Sequence, residues 1–135
     1  MTFSPAAADT ISAFLKDTKT KPEDYDLIVT GDLGLVGSKL LRKLLSEQGI
    51  DLFNHNDCGM MIFDREKQDV HSGGSGCGCS ASVLCSYILK KMEAGDFENV
   101  LFCATGALMS PTASLQGESI PSIAHLIYLS AKFQQ

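Results

Sequence analysis

The chain has 135 residues, of which 44% are hydrophobic and 20% charged, enough for one domain with an enclosed core. Its formal net charge of −5 opposes nonspecific binding to nucleic acid or to an anionic membrane, because the few lysines are scattered and repulsion must be overcome by a local basic patch. No apolar run reaches the roughly 20 residues that span a bilayer, the start Met1-Thr-Phe-Ser-Pro5 is not a signal peptide, and five cysteines without an export signal read as reduced thiols; a soluble chain on the cytoplasmic side is expected.

Ser4-Pro5 reads as a helix start, with a side-chain acceptor at the cap and a ring at the first helical position. Ile11, Phe14 and Leu15 then recur at helical spacing, which predicts a helix over about 5–17. A polar stretch from Thr18 to Asp24, containing Pro22, interrupts it. The β-branched run Asp26-Leu-Ile-Val-Thr30 is a buried strand, and Leu33-Gly34 marks its end.

From Val36 the residues Leu40, Leu41, Leu44 and Leu45 form one apolar face, and Gly49 offers a left-handed stop. Beyond that helix, His55-Asn-Asp57 reads as the approach to a second strand over Cys58–Phe63, with Gly59 weakening it. Asp64–Asp69 is a charged surface turn. A third helix is expected from about Ser80 to Ala94, stopped at Gly95. Val100–Ala104 is a strand, Gly106–Ser119 an irregular loop, and Ile120–Ser130 a last strand. The order predicts an α/β fold, a mixed sheet covered by helices, in a single domain over 1–135.

The most informative segment is His71-Ser-Gly-Gly-Ser-Gly-Cys-Gly-Cys-Ser80, four glycines and two cysteines just ahead of the third helix. Small residues there let several N–H groups converge where the helix dipole already favours negative charge, which suits an anion or an oxyanion. They equally suit a loop kept small so that the helix packs tightly on the sheet, and both readings stand. Sheet ligands sit at the carboxyl ends of strands. Three segments should therefore converge: Thr30-Gly31-Asp32, Gly76–Cys79 and Thr105-Gly106.

Cys77, Cys79, Cys58, His55 and His71 are thiol and imidazole groups of the kind that bind zinc, but a C-x-C pair lacks the usual spacing, and buried thiols lining a pocket are the simpler reading. Cys77 near a helix start is a candidate nucleophile, although His71 is the nearest histidine in sequence and no base is evident beside it. Cys85 and Cys103 read as core residues. Asp32 is placed to bind calcium or orient a pocket donor, against an ordinary role in turn or cap chemistry. Glu118 and His125 flank the last strand, and both equally suit a role in satisfying neighbouring backbone groups. Lys39–Lys43 reads as a solvated helix face.

Several blocks together resemble the stage V sporulation protein AD family of spore-forming bacteria: Ala6–Thr10, Thr30–Leu33, His55–Gly59, Gly73–Ala81, Ala104–Thr112 and Gln116–Pro121. The resemblance implies a thiolase-like fold of two similar α/β halves, of which this chain matches the C-terminal half, leaving the N-terminal half as a missing partner. In the related condensing enzymes a histidine and an asparagine of this half polarise a thioester carbonyl. The resemblance sets Gly31 and Cys77 at those positions, so it implies no catalytic residue and no enzyme activity. It implies instead a spore protein that binds dipicolinic acid, or its calcium chelate, for uptake during sporulation and release at germination. The site would comprise Gly31, Asp32, Gly76, Cys77, Gly78, Cys79, Ser80, Thr105 and Gly106, without a resident cofactor or metal. Expected partners are the other stage V sporulation A membrane proteins, at the spore inner membrane as a peripheral chain, and a second copy through an exposed sheet face. A thiolase-type acyltransferase and a purely structural subunit of a membrane channel complex are the alternatives.

Overall fold

The strand Leu27–Thr30 (β1) is the centre of the molecule, and all four of its residues are buried. Burial on both faces is what a parallel strand between two neighbours requires, and it explains the unbroken apolar run. The computed structural model describes residues 4–61, 82–107 and 122–131. Within them, β1 pairs in parallel with His55–Asp57 (β2) and with Asn99–Ala107 (β3), and β3 pairs antiparallel with Ser122–Ser130 (β4). The sheet order is β2-β1-β3-β4. It is the mixed α/β sheet expected from the alternating pattern.

Helix α1 (Ser4–Thr18) buries Ala7, Ala8, Ile11 and Leu15, and α2 (Gly34–Ser46) buries Leu41 and Leu45, against Ile28, Leu101 and Cys103 on one sheet face. The opposite face carries Leu27, Val29, Val100 and Phe102. There they meet Val83, Ile88 and Met92 of α4 (residues 82–93). Strand alternation thus gives β1 two hydrophobic sides, and each is covered by helix. Helix α4 contains a π turn at Leu84–Ile88 before it continues as Leu89–Glu93.

Both outer helices stop in the same way. Thr20 donates its N–H to Leu15 O at 3.0 Å, and Ile50 donates to Leu45 O at 2.9 Å, each across a residue of positive φ. Those residues are Lys19 (φ 53°) and Gly49 (φ 78°). They are left-handed stops, with glycine used at one end and lysine at the other. Gly95, at φ 84°, follows α4 as predicted.

The structure corrects four expectations. The second strand is the polar triplet His55–Asp57, and Cys58–Met61 is a short helix (α3). A run opening on Gly59 is a weak strand former, whereas the triplet has partners inside the fold for its inward side chains. Helix α2 begins at Gly34, before Val36, because a carboxylate from β2 meets its first amides. Gly106 and Ala107 still belong to β3, paired with Ile123 and Ser122, so the loop begins later than expected. The Ser4 hydroxyl does not point along its own helix but donates to Gly37 O of α2 at 2.8 Å. The predicted turn at 64–69, the extension of the second strand to Phe63, and the stretches 80–81 and 120–121 lie outside the described residues.

Candidate functional site

The carboxyl ends of β1 and β3 meet as expected. Gly31 is buried and donates its N–H to Cys103 O at 3.0 Å, and Asp32 donates its N–H to Thr105 Oγ1 at 3.2 Å. Two of the three predicted segments are therefore joined. Their chemistry differs from the expectation in one respect: both main-chain amides are already engaged. What this corner presents is the Thr105 hydroxyl, which accepts from Asp32 and has a proton of its own to give. Gly106 contributes backbone only, as a member of β3. The third segment, Gly76, Cys77, Gly78, Cys79 and Ser80, lies outside the described residues, as do His71 and Glu118.

A buried polar knot adjoins this corner, and sequence reasoning had not singled it out as one. Thr30 is paired with Asp57 across β1 and β2, and its hydroxyl donates to Asp57 Oδ1 at 2.5 Å. The same carboxylate accepts N–H bonds from Leu33 at 2.9 Å and Gly34 at 3.0 Å. Asp57 therefore satisfies the start of α2, where the helix dipole favours a negative charge. It fills from within the place an anionic ligand of that helix would need. Cap chemistry near Asp32 thus falls to Asp57, from a different strand.

His55 lies two residues back on the same inward face, buried, with Nε2 3.0 Å from Thr30 Oγ1. Because the single Thr30 proton goes to Asp57, the network assigns the proton of this bond to His55 Nε2. His55 Nδ1 is then a bare acceptor, buried and without a partner. Burial, with the Arg42 guanidinium nearby, lowers the imidazole pKa to about 4, so it is neutral at physiological pH. Arg42 itself donates to His55 O at 3.2 Å, so one cation of the predicted solvated face of α2 is tied to the sheet. The sequence signal for this knot is the two-residue spacing of His55 and Asp57, which puts both side chains on one face of a strand.

On the other sheet face a hollow of about 450 Å³ opens where β2 meets the start of α4, lined by Asn56, Met61, Ser82, Val83, Ser86 and Tyr87. Its size falls in the range of small-ligand pockets, about 300–1,000 Å³. Three hydroxyls and a carboxamide line it, against three apolar side chains or stems. Asn56 Oδ1 is occupied by the Asp57 amide at 2.8 Å, which leaves the Asn56 amino group as its donor.

Cys103 is a buried core thiol, as expected, and Cys58 is buried as well; neither is in a disulfide. Burial raises the Cys103 pKa to about 12. Among the described residues no three His, Cys, Asp or Glu side chains are grouped to hold a metal ion. His55 and Cys58, two of the five groups considered for zinc, are built into the core. His125 sits on β4 opposite Ala104 and is exposed.

The model of the family described as Stage V sporulation protein AD matches residues 1–130. Stage V sporulation protein AD of Bacillus subtilis (strain 168) is 49% identical over 123 residues, which cover 90% of this chain and 36% of that relative. The chain thus spans about a third of the length of the curated relative it matches.

Proposed function

The chain belongs to the stage V sporulation protein AD family, which ties it to sporulation, and from that premise we propose that it is a noncatalytic binding segment for dipicolinate. In this reading residues 1–130 belong to the C-terminal half of a thiolase-like protein, and part of the pocket wall comes from the N-terminal half. The ligand is a small planar dianion. Its carboxylates are received by the Thr105 hydroxyl beside Asp32, by main-chain amides of Gly76–Ser80, and by the small Cys77 and Cys79 positions that leave room for a flat ring.

The observation that carries this reading is the join between β1 and β3 at their carboxyl ends, the Asp32 N–H bond to Thr105 at 3.2 Å, in a chain of this family. It brings two segments far apart in sequence to the place where sheet proteins of this class bind ligands. Glycine stands at position 31, so no side chain there can polarise a carbonyl. Among the described residues the thiol nearest this join, Cys103, is held protonated by burial. Both features favour binding over acyl transfer.

Calcium enters this reading as part of the cargo, with no resident metal. The partners proposed are the N-terminal half, the other stage V sporulation A membrane proteins and a second copy. The attachment proposed at the spore inner membrane is peripheral; no helix among the described residues is long and apolar enough to cross a membrane.

Calorimetric titration with dipicolinate, with and without calcium, tests the proposal on this chain and on the chain joined to its N-terminal half. Saturable binding by the joined protein, without acyl-CoA turnover and without an acylated cysteine by intact mass, is the expected result. Turnover or a covalent adduct in the absence of dipicolinate binding would replace it with the acyltransferase reading.

A further inference from the structure

Strand β4 closes one side of the sheet among the described residues, and its own hydrogen bonding shows which of its groups turn outward. On β3, Asn99 O and Cys103 O accept from Asp26 and Gly31 on the β1 side, so Val100, Phe102 and Ala104 turn toward β4. There they meet Leu129, Ile127 and His125, and Ala131 continues the series by donating its N–H to Glu98 O at 2.8 Å. Antiparallel bonding alternates, so the N–H and C=O groups of Ala124, Leu126, Tyr128 and Ser130 point away from β3. Thr10 Oγ1 donates to Ala124 O at 2.9 Å and caps one end of that edge. Among the described residues no hydrogen bond engages the outward main chain of Leu126 or Tyr128.

The side chains along this edge are exposed on both faces of the sheet. Ile127, on the α4 face, is 48% exposed, and Tyr128, on the α1 face, is 49% exposed. The Tyr128 ring is held in place, edge-on to Tyr25 with centroids 5.9 Å apart and with its hydroxyl donating to Asn99 Oδ1. It stands beside the edge without covering it. Edge strands are commonly guarded by a charge, a proline or a bulge. Ser122–Ser130 contains no Asp, Glu, Lys, Arg or Pro, and its register with β3 runs without a bulge.

A row of outward N–H and C=O groups is complemented by another strand, and this strand complements itself. Antiparallel pairing of two copies lets Leu126 of one exchange both main-chain bonds with Tyr128 of the other, which satisfies the two outward residues that lack a partner. A two-fold axis then passes at Ile127, which faces Ile127 of the second copy, while Leu126 lies beside Tyr128 of the second copy on the α1 face. The same register sets His125 of the second copy across from Leu129. On that face the Glu93 carboxylate lines a groove of about 290 Å³ with Leu89, Met92, Leu129 and Ala131, so an imidazole donor and a carboxylate acceptor share one side of the junction. We propose that β4 pairs edge to edge with β4 of a second copy about a two-fold axis at Ile127, joining the two sheets into one. In a chain with a formal net charge of −5, a strand without charged residues is where two copies approach at least cost. The inference gives the second copy in the proposed function a surface, and rests on that part of it alone.

Sedimentation velocity of the full chain over a concentration series is the test, and a dimer that dissociates on dilution is expected. Ile127→Lys sets two ammonium groups face to face on the axis and should weaken the dimer at least about tenfold. Val36→Lys, the same change at an exposed position of α2, should dimerise as the parent does. Melting curves confirm that each variant is folded. Ile127→Cys reads the register directly: residues opposite each other at a non-hydrogen-bonded site have Cα atoms about 4.5 Å apart, within disulfide range. Mild oxidation should lock that variant as a covalent dimer, and His125→Cys, whose two copies lie four residues out of register, should stay unlocked like the parent with its native thiols. A monomer at every concentration would overturn both the edge and the second copy. A dimer that Ile127→Lys leaves intact and Ile127→Cys does not lock would overturn the edge and leave the second copy at another surface. Equal locking of both cysteine variants would overturn the two-fold register.

Discussion

Thr30 and Asp57 face each other across β1 and β2, hydroxyl to carboxylate at 2.5 Å, and through this pair the first strand, the second strand and the start of α2 become one unit. The Leu33 and Gly34 amides open α2 and have no earlier helical turn to bond, and the only other acceptor near the Thr30 hydroxyl among the described residues is Asn56 O at a long 3.5 Å. Replacing it with asparagine keeps the size but turns one oxygen into an NH₂ group facing the Leu33 or Gly34 amide. Asp57→Asn is predicted to lower unfolding stability by about 2–4 kcal/mol, since a buried charge-assisted network is broken and a donor is left facing a donor. Urea denaturation at pH 7 measures it, and a loss below 0.5 kcal/mol on this order-of-magnitude scale would show that the cap is dispensable.

How much of this was legible in the sequence depends on what holds each element. Helices α1 and α2 and strands β1 and β3 are held by apolar periodicity, and Ile11, Leu15, Leu41, Leu45 and Val100 announce it. Strand β2 is held by the polar knot, and no local pattern in His55-Asn-Asp57 marks a strand until Thr30 and the α2 amides are placed beside it. The Gly31-Asp32 and Thr105 corner was legible because sheet topology alone brings strand ends together. The use of its amides was not, because it depends on the register of β1 and β3, in which Thr30 faces Cys103.

His55 predicts how stability responds to acid. Its pKa is 6.5 ordinarily and about 4 in the fold, so the unfolded chain takes up a proton first. Stability is therefore full above pH 6.5 and declines as the pH falls from 6.5 to 4, by about 3 kcal/mol from this group, after which the folded state also protonates. Urea midpoints at pH 7, 6, 5 and 4 should drop accordingly, and His55→Gln should remove that part of the decline. An unchanged slope in His55→Gln would mean the imidazole is not the group responsible.

Thr105→Val tests the binding corner without changing side-chain size. The Asp32 amide loses its acceptor, and the corner loses its one hydroxyl. Stability should fall by about 1 kcal/mol and dipicolinate affinity in the joined protein by about tenfold to a hundredfold, as for a hydrogen bond to a charged group. Calorimetry gives both enthalpy and affinity. Equal affinity in Thr105→Val would remove this residue from the site while leaving the Gly76–Ser80 amides in it.

Gly37 sits where α1 and α2 touch, and a Cβ built there would lie 3.0 Å from Leu33 Cβ and 3.3 Å from Ser4 Oγ. Alanine is favoured over glycine in a helix interior by about 1 kcal/mol, so open space would make Gly37→Ala stabilising. The Ser4 hydroxyl, though, is fixed by its bond to Gly37 O. It cannot retreat without losing that partner, and Leu33 Cβ is bonded directly to the backbone with little freedom to move. Gly37→Ala is expected to destabilise by about 1 kcal/mol net, with part of the loss absent when Ser4→Ala is already present. A double-mutant cycle in thermal unfolding reads the coupling, and strict additivity would place the strain on Leu33 alone.

Cys103 separates a binding protein from an acyltransferase at the level of a single thiol. It lies in β3 between the core and the Gly31 amide, fully buried, with its pKa pushed up to about 12. Nucleophilic attack needs the thiolate, and at pH 8 a group of that pKa supplies roughly one part in ten thousand of it. Native protein should therefore leave Cys103 unmodified by iodoacetamide over hours at pH 8, while the same residue reacts within minutes in urea. Peptide mapping by mass spectrometry follows it separately from Cys77 and Cys79. If Cys103 reacts in the native state as fast as in urea, the β1–β3 corner is open to solvent. The carboxyl ends of these strands would then be a reactive surface, and the case for a closed, noncatalytic ligand pocket there would fail.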